Sequence, residues 1–229
     1  TSYAQMYTHT DLTYAYSIVH LRTPGQTEVL EIGATDIRVR AMNGTVLWRA
    51  STSLPGWTGN NPNASAVDMD NDGTPELQIT RDASTVDVVR YSGGAFSRAW
   101  GVTGWLPMSA FNSDADSQNE IAMFSATDGH FAIFDGRFGY MEYENTAYSF
   151  FTGGDMLPFD SDGDGQRELF FYRQGPGTPC VTAVRGGCCG YNTMWTHNSA
   201  VSGIFPATSR SAVQHEIVEI TTGNFRIRD

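Results

Sequence analysis

Lysine is absent from this chain of 229 residues; all 14 basic residues are arginine, set against 25 acidic ones for a net charge of −11. No cluster of basic side chains exists to displace counterions from a phosphate backbone, which excludes a nucleic-acid partner. Cysteine is nearly absent too. Cys180, Cys188 and Cys189 fall within ten residues of one another, a spacing that suits neither a zinc site nor the disulfide framework of a small domain. A vicinal disulfide and a bridge from Cys180 to one of the pair are both open. No apolar run is long enough to span a bilayer, which excludes membrane insertion by a helix.

Catalytic signatures are missing as well. The five histidines are scattered, and His215-Glu216 begins like a zinc-protease signature without its second histidine. There is no nucleophile elbow, phosphate-cradling loop or dinucleotide fingerprint. Glu142 and Glu144 alternate along one segment and read as charges that discourage edge pairing rather than as a glycosidase pair. The chain therefore reads as a non-enzyme.

What is present is a repeat. Asp68-Met-Asp70-Asn-Asp72-Gly73-Thr74-Pro-Glu76, Asn112-Ser-Asp114-Ala-Asp116-Ser117-Gln118-Asn-Glu120 and Asp160-Ser-Asp162-Gly-Asp164-Gly165-Gln166-Arg-Glu168 align without gaps. Glu28 and Glu216 extend the series to five glutamates spaced 48, 44, 48 and 48 residues apart, the outer two without an acidic loop. That period suits a four-stranded blade. In the second unit, turn signals and β-rich runs place strands at 64–68, 76–80, 86–91 and 96–102. Asn43-Gly44 in the first unit suits a type I′ hairpin. Each of the first four units ends on an aromatic, Trp48, Trp100, Tyr143 or Trp195, placed to pack between sheets.

The expected fold is all-β: one domain over 1–229, a five-bladed β-propeller with units near 13–50, 62–102, 106–145, 154–197 and 202–229. The last unit lacks a fourth strand, and residues 2–10 supply it, closing the ring at its seam.

Alternating Asp side chains in a tight loop can turn several hard oxygens toward one point, as calcium requires. Asp68, Asp70, Asp72 and Glu76 would supply carboxylates, Thr74 a backbone carbonyl, and Gly73 the sharp turn. Asp160, Asp162, Asp164 and Glu168 repeat that set. The middle loop, with Asn112, Asp114, Asp116 and Glu120, has one carboxylate fewer and is expected to bind most weakly.

These loops and their period resemble the calcium-binding FG-GAP and VCBS repeats of integrin-type heads and bacterial surface proteins, over essentially the whole chain. The resemblance implies about three Ca2+ ions, with backbone oxygens from Gln118 and Gln166. It also implies an extracellular or cell-surface location and a recognition or adhesion role toward a glycan or protein ligand. Two alternatives are a structural subunit assembling with its own copies in a filament or surface layer, and a domain of a polysaccharide-degrading enzyme. Trp57 and Trp105, each beside glycine in a loop between units, could contact the ligand or fill the space between blades. Asn43 and Asn63 head sequons that permit N-glycosylation.

Overall fold

A computed structural model describes residues 13–22, 25–58, 62–82, 84–173, 181–187, 190–198, 202–207, 216–221 and 224–228. The chain is all-β. The first sheet contains β1 (Thr13–Val19), β2 (Glu28–Gly33), β3 (Ile37–Ala41) and β4 (Val46–Arg49), followed by the single turn α1 (Ala50–Ser53). The second contains β5 (Asn63–Val67), β6 (Glu76–Thr80), β7 (Thr85–Ser92) and β8 (Ala95–Thr103). The third contains β9 (Trp105–Phe111), β10 (Glu120–Ser125), β11 (His130–Asp135) and β12 (Met141–Ser149), and a 3-10 turn follows at Phe150–Thr152. The fourth contains β13 (Gly154–Phe159), β14 (Glu168–Arg173), β15 (Val181–Gly187) and β16 (Gly190–His197). The fifth has β17 (Gly203–Ala207), β18 (Glu216–Thr221) and β19 (Asn224–Arg228).

In every sheet the strands pair with their sequence neighbours, giving four four-stranded sheets and one of three strands. The described strands of these sheets lie within a few residues of the segments read in the sequence. The proposed closing strand at 2–10 and all three cysteines lie outside the described residues. Backbone contacts gather the chain into two units, Thr1–Pro107 with Arg137–Gly139, and Met108–Gly136 with Tyr140–Asp229.

Burial explains the strand sequences. The middle strands are apolar on successive residues: Leu169, Phe170 and Phe171 of β14, and Phe131 through Phe134 of β11, are all buried. Outer strands alternate or face water, and β8 exposes most of its residues. Pro158 and Pro206 sit on first strands, which lie at a sheet edge where a missing N–H breaks no ladder. The unit 1 core gathers Leu30, Ile37, Val39, Trp48, Leu77 and Ile79, and one unit 2 core gathers Phe131, Ile133, Tyr148, Leu169 and Phe171. Each such side chain contributes about 1.5–3 kcal/mol by leaving water.

Of two hairpin turns legible in the sequence, one forms as read and the other differs. Ser92-Gly93-Gly94 forms a hairpin with Gly93 and Gly94 at φ 60° and 89°, which glycine alone adopts freely. Asn43-Gly44 is not the type I′ turn its sequence suggested. Only Gly44 has positive φ, and its N–H donates to the Ala41 carbonyl at 2.8 Å while the Ala41 N–H donates to Thr45 at 2.9 Å. The three-residue loop ends in a glycine bulge, the other common hairpin solution.

One interaction recurs in the first four sheets. The glutamate opening the second strand is buried, and one of its carboxylate oxygens accepts the backbone N–H seven residues earlier. The pairs are Leu21 to Glu28 at 3.0 Å, Met69 to Glu76 at 2.9 Å, Ser113 to Glu120, and Ser161 to Glu168 at 2.7 Å. Each carboxylate thus meets a backbone donor that the loop would leave unpaired in the interior. Glu28 does so where no acidic loop exists, which explains why the glutamate persists there. Replacing Glu28 by Ala is expected to destabilise the fold by roughly 2–3 kcal/mol, the penalty of orphaning buried donors. Urea denaturation should read the same loss with and without chelator, and a loss that chelator abolishes would contradict this role.

Candidate functional site

Three acidic clusters could hold metal ions. Ligand oxygens of Asp68, Asp70 and Glu76 lie within 4.8 Å of one another, as do those of Asp114, Glu120 and Glu142, and those of Asp160, Asp162 and Glu168. Each cluster joins a loop after the first strand of its sheet to the glutamate of the second strand.

The loops are held open by their own backbone. Asp68 accepts the N–H groups of Asp72 and Gly73 at 3.1 and 2.9 Å, and Asp160 accepts those of Gly163 and Gly165 at 2.6 and 3.0 Å. Asp72, Asp116 and Asp164 each accept the N–H two residues on, from Thr74, Gln118 and Gln166, at 2.7 to 2.8 Å. These bonds hold the carboxylates close together despite their like charge. Asn71 takes the left-handed conformation at φ 55°, and Gly73 and Gly165 follow at 87° and 93°.

The first and third clusters contain an arginine. Arg90 of β7 donates from its Nε to Glu76 at 3.0 Å, and its Nη2 lies 2.9 Å from Asp70. Arg185 of β15 donates from its Nε to Glu168 at 3.0 Å and pairs with Asp162. The Asp162 contact helps raise the Arg185 guanidinium above its ordinary value.

Among the described residues the middle cluster has no such cation. The residue opposite Glu120 is Asp135, buried, and it accepts the Tyr140 hydroxyl. A fifth carboxylate arrives from β12. Tyr143 pairs with Ile133 and Met141 with Phe134, so Glu142 is the extra residue of a β-bulge. A bulge re-aims a side chain out of the simple alternation, and Glu142 joins Asp114 and Glu120 rather than lining the edge with Glu144. Glu144 instead lies 2.6 Å from Nε2 of His130. The same bulge precedes Trp48, Trp100 and Trp195, where the extra residues are Leu47, Ala99 and Met194. Of these four described bulges, the third sheet's alone carries an acid. The edge-charge reading of Glu142 is therefore corrected, and a carboxylate count taken from the loop alone understates this cluster.

Burial, aided by Asp114 and Glu142 and opposed by the bonds from Ser113, pushes Glu120 up to about 8. Burial, with repulsion from Asp114, Asp135 and Asp116, pushes Glu142 up to about 7. Burial also raises Asp114 and Glu76, the latter against its bonds to Met69 and Arg90. Glu142 Oε2, Asn112 Oδ1, Gln118 Oε1 and, in the first cluster, Asp70 Oδ1 are buried oxygens without a hydrogen-bond donor among the described residues. All-oxygen donors with unmet lone pairs suit a hard divalent cation.

The middle cluster also borders a pocket of about 490 Å³, lined by Asp114, Asp116, Glu142, Tyr140 and Tyr191 among others. Tyr191 is tied in by its hydroxyl, 2.6 Å from Ser113 Oγ. Trp57 is half-buried, packs on the unit 1 core and donates its indole N–H to the Thr35 carbonyl at 2.9 Å. Trp105 is a half-buried residue of β9. More exposed aromatics lie elsewhere: Phe150 and Phe151 are 45% and 55% exposed, with Phe150 stacked 4.6 Å from Phe124. Asn43 and Asn63 are both exposed.

No family profile and no curated protein matches this chain. Solved structures do. The rhamnogalacturonan lyase YesW superposes with a TM-score of 0.55 at 15% identity, over 89% of this chain and 43% of the lyase. An Agrocybe aegerita lectin that recognises non-reducing terminal N-acetylglucosamine gives 0.54 at 14%, over 91% of this chain and 61% of the lectin. The exotype rhamnogalacturonan lyase YesX gives 0.51 at 14%, over 91% and 43%. The chain shares a fold with parts of these proteins. It spans roughly half the length of each, and at such identities the likeness concerns the fold alone.

The raised carboxyls set a pH dependence for the chelated protein. Between their unfolded values and their folded ones, Glu120 and Glu142 hold protons in the native state that the unfolded chain releases. Stability without metal is then greatest at low pH in that window and falls as pH rises from about 5 to about 8. Melting in chelator across this range should show the decline, and Glu142→Gln should flatten it; a stability rising with pH would contradict the assignment.

Proposed function

We propose that the chain is a calcium-stabilised, non-enzymatic glycan-recognition module, built on a closed five-bladed β-propeller of the FG-GAP or VCBS kind and used outside the cell. The observation that carries it is the middle acidic cluster, which combines uncompensated carboxylates, orphaned buried oxygens and a tyrosine-lined pocket. The fold likeness to a lectin supports the glycan as ligand. Sugar rings pair readily with aromatic faces, and tyrosines flank this cluster.

Calcium, bound by the oxygens of Asp114, Glu120 and Glu142 with Asn112 and Gln118 nearby, supplies the charge that the third sheet lacks. In the first and third clusters Arg90 and Arg185 already provide part of it. An ion there must share the glutamate with a guanidinium, so the middle site is the tightest of the three. This reverses the ranking expected from the loop sequences.

The likeness to rhamnogalacturonan lyases favours one second reading, a non-catalytic or catalytic domain of a polysaccharide-degrading enzyme. Activity assays on pectic polysaccharides separate the two, because a recognition module binds without cleaving.

Calcium titration should resolve a tight site that Glu142→Gln weakens by about tenfold or more, consistent with loss of one charged oxygen ligand, while the remaining sites are unchanged. Chelation should lower the melting temperature. A glycan array probed with calcium present should give binders; an array without any, or melting indifferent to chelator, would defeat the corresponding half of the proposal.

A further inference from the structure

A second pocket, of about 580 Å³, lies wholly within unit 1, and no residue of the three acidic loops lines it. Its volume is in the range of small-molecule sites, about 300–1,000 Å³. Arg22, Trp48, Arg49, Ser53, Tyr91 and Phe96 line it, and no carboxylate does among the described residues. In a chain of net charge −11 with only 14 basic residues, this concentration of donors without acids is unusual.

Both arginines are braced from behind. Arg22 Nε donates to buried Glu28 at 2.6 Å, and Arg49 Nε lies 3.0 Å from buried Asp36. The terminal nitrogens of both guanidiniums have no partner among the described residues. A guanidinium held through Nε keeps terminal N–H groups for a planar anion. Trp48 also lines the wall; the residue is 5% exposed, and its indole N–H is buried without an acceptor among the described residues. An orphaned buried donor is destabilising until something accepts its bond. Tyr91 and Phe96 pack 4.9 Å apart, centroid to centroid, and give the wall an aromatic surface.

We infer that this pocket binds an anionic saccharide, its acidic group taken by Arg22 and Arg49, a ring oxygen or hydroxyl by Trp48, and its apolar face by Tyr91 and Phe96. The inference rests on the glycan-recognition reading and specifies the sugar class. Ser53 offers the pocket a hydroxyl, which can serve a ring hydroxyl as donor or acceptor. Charge recognition of this kind weakens with salt.

The test uses full-length protein carrying 15N-labelled tryptophan, with the Trp48 indole signal assigned through Trp48→Phe. Oligogalacturonate should shift that signal, whereas its methyl ester, which lacks the charge, should not. A sulfated carrageenan oligosaccharide distinguishes sulfate from carboxylate: a shift with either acid supports the site and names its acid. Arg49→Gln, with melting checked against wild type, should weaken binding about tenfold, as expected for one charged bidentate contact. Equal binding of the neutral ester, or an unmoved Trp48 signal at saturating concentrations of both acids, overturns the inference. Array binders that leave Trp48 unmoved would leave glycan recognition standing and remove only this pocket. An array without binders removes the broader reading.

Discussion

The bond from a buried glutamate to the backbone N–H seven residues earlier is the constraint on which the repeats depend. In the first four sheets the chain must leave the first strand, cross a loop and enter the second. At the start of that crossing a backbone donor points inward with no strand beside it. A carboxylate answers the donor, and being charged it answers strongly. Burying that charge then creates a second demand, because the other oxygen needs a cation or must take up a proton.

The sheets meet this demand differently. Arg22 meets it beside Glu28, Arg90 beside Glu76 and Arg185 beside Glu168. In the third sheet Asp135 replaces the arginine and the bulge adds Glu142, so like charges accumulate where the others are balanced. The glutamate bond is thus independent of the acidic loops, and the carboxylates are least compensated in the third sheet. The same arginine economy is visible in the unit 1 pocket. Arg22 and Arg49 each neutralise a buried carboxylate and, among the described residues, leave their terminal nitrogens unpaired.

Much of this was legible in the sequence. The period of the glutamates located every sheet, and the alternating Asp residues located all three acidic clusters, because both patterns are local and strands repeat with a fixed side-chain period. Hairpin chemistry was partly legible: two glycines were enough to identify the turn at Ser92, whereas Asn43-Gly44 is compatible with more than one loop and the flanking pairing chose between them.

The sequence by itself determined the all-β repeat, the positions of its glutamates and the all-oxygen character of its acidic clusters. Tertiary structure alone decided which charges face one another. Glu142 belongs to its cluster only because one extra residue in β12 turns it inward, and Leu47, Ala99 and Met194 occupy equivalent bulges without giving a chemical signal. Asp135, Arg90 and Arg185 lie 14 to 17 residues from the glutamates they adjoin, at separations set by hairpin length. Electrostatic energy depends on distance and burial rather than on order along the chain, and the ranking of the sites therefore emerges only once the strands are paired.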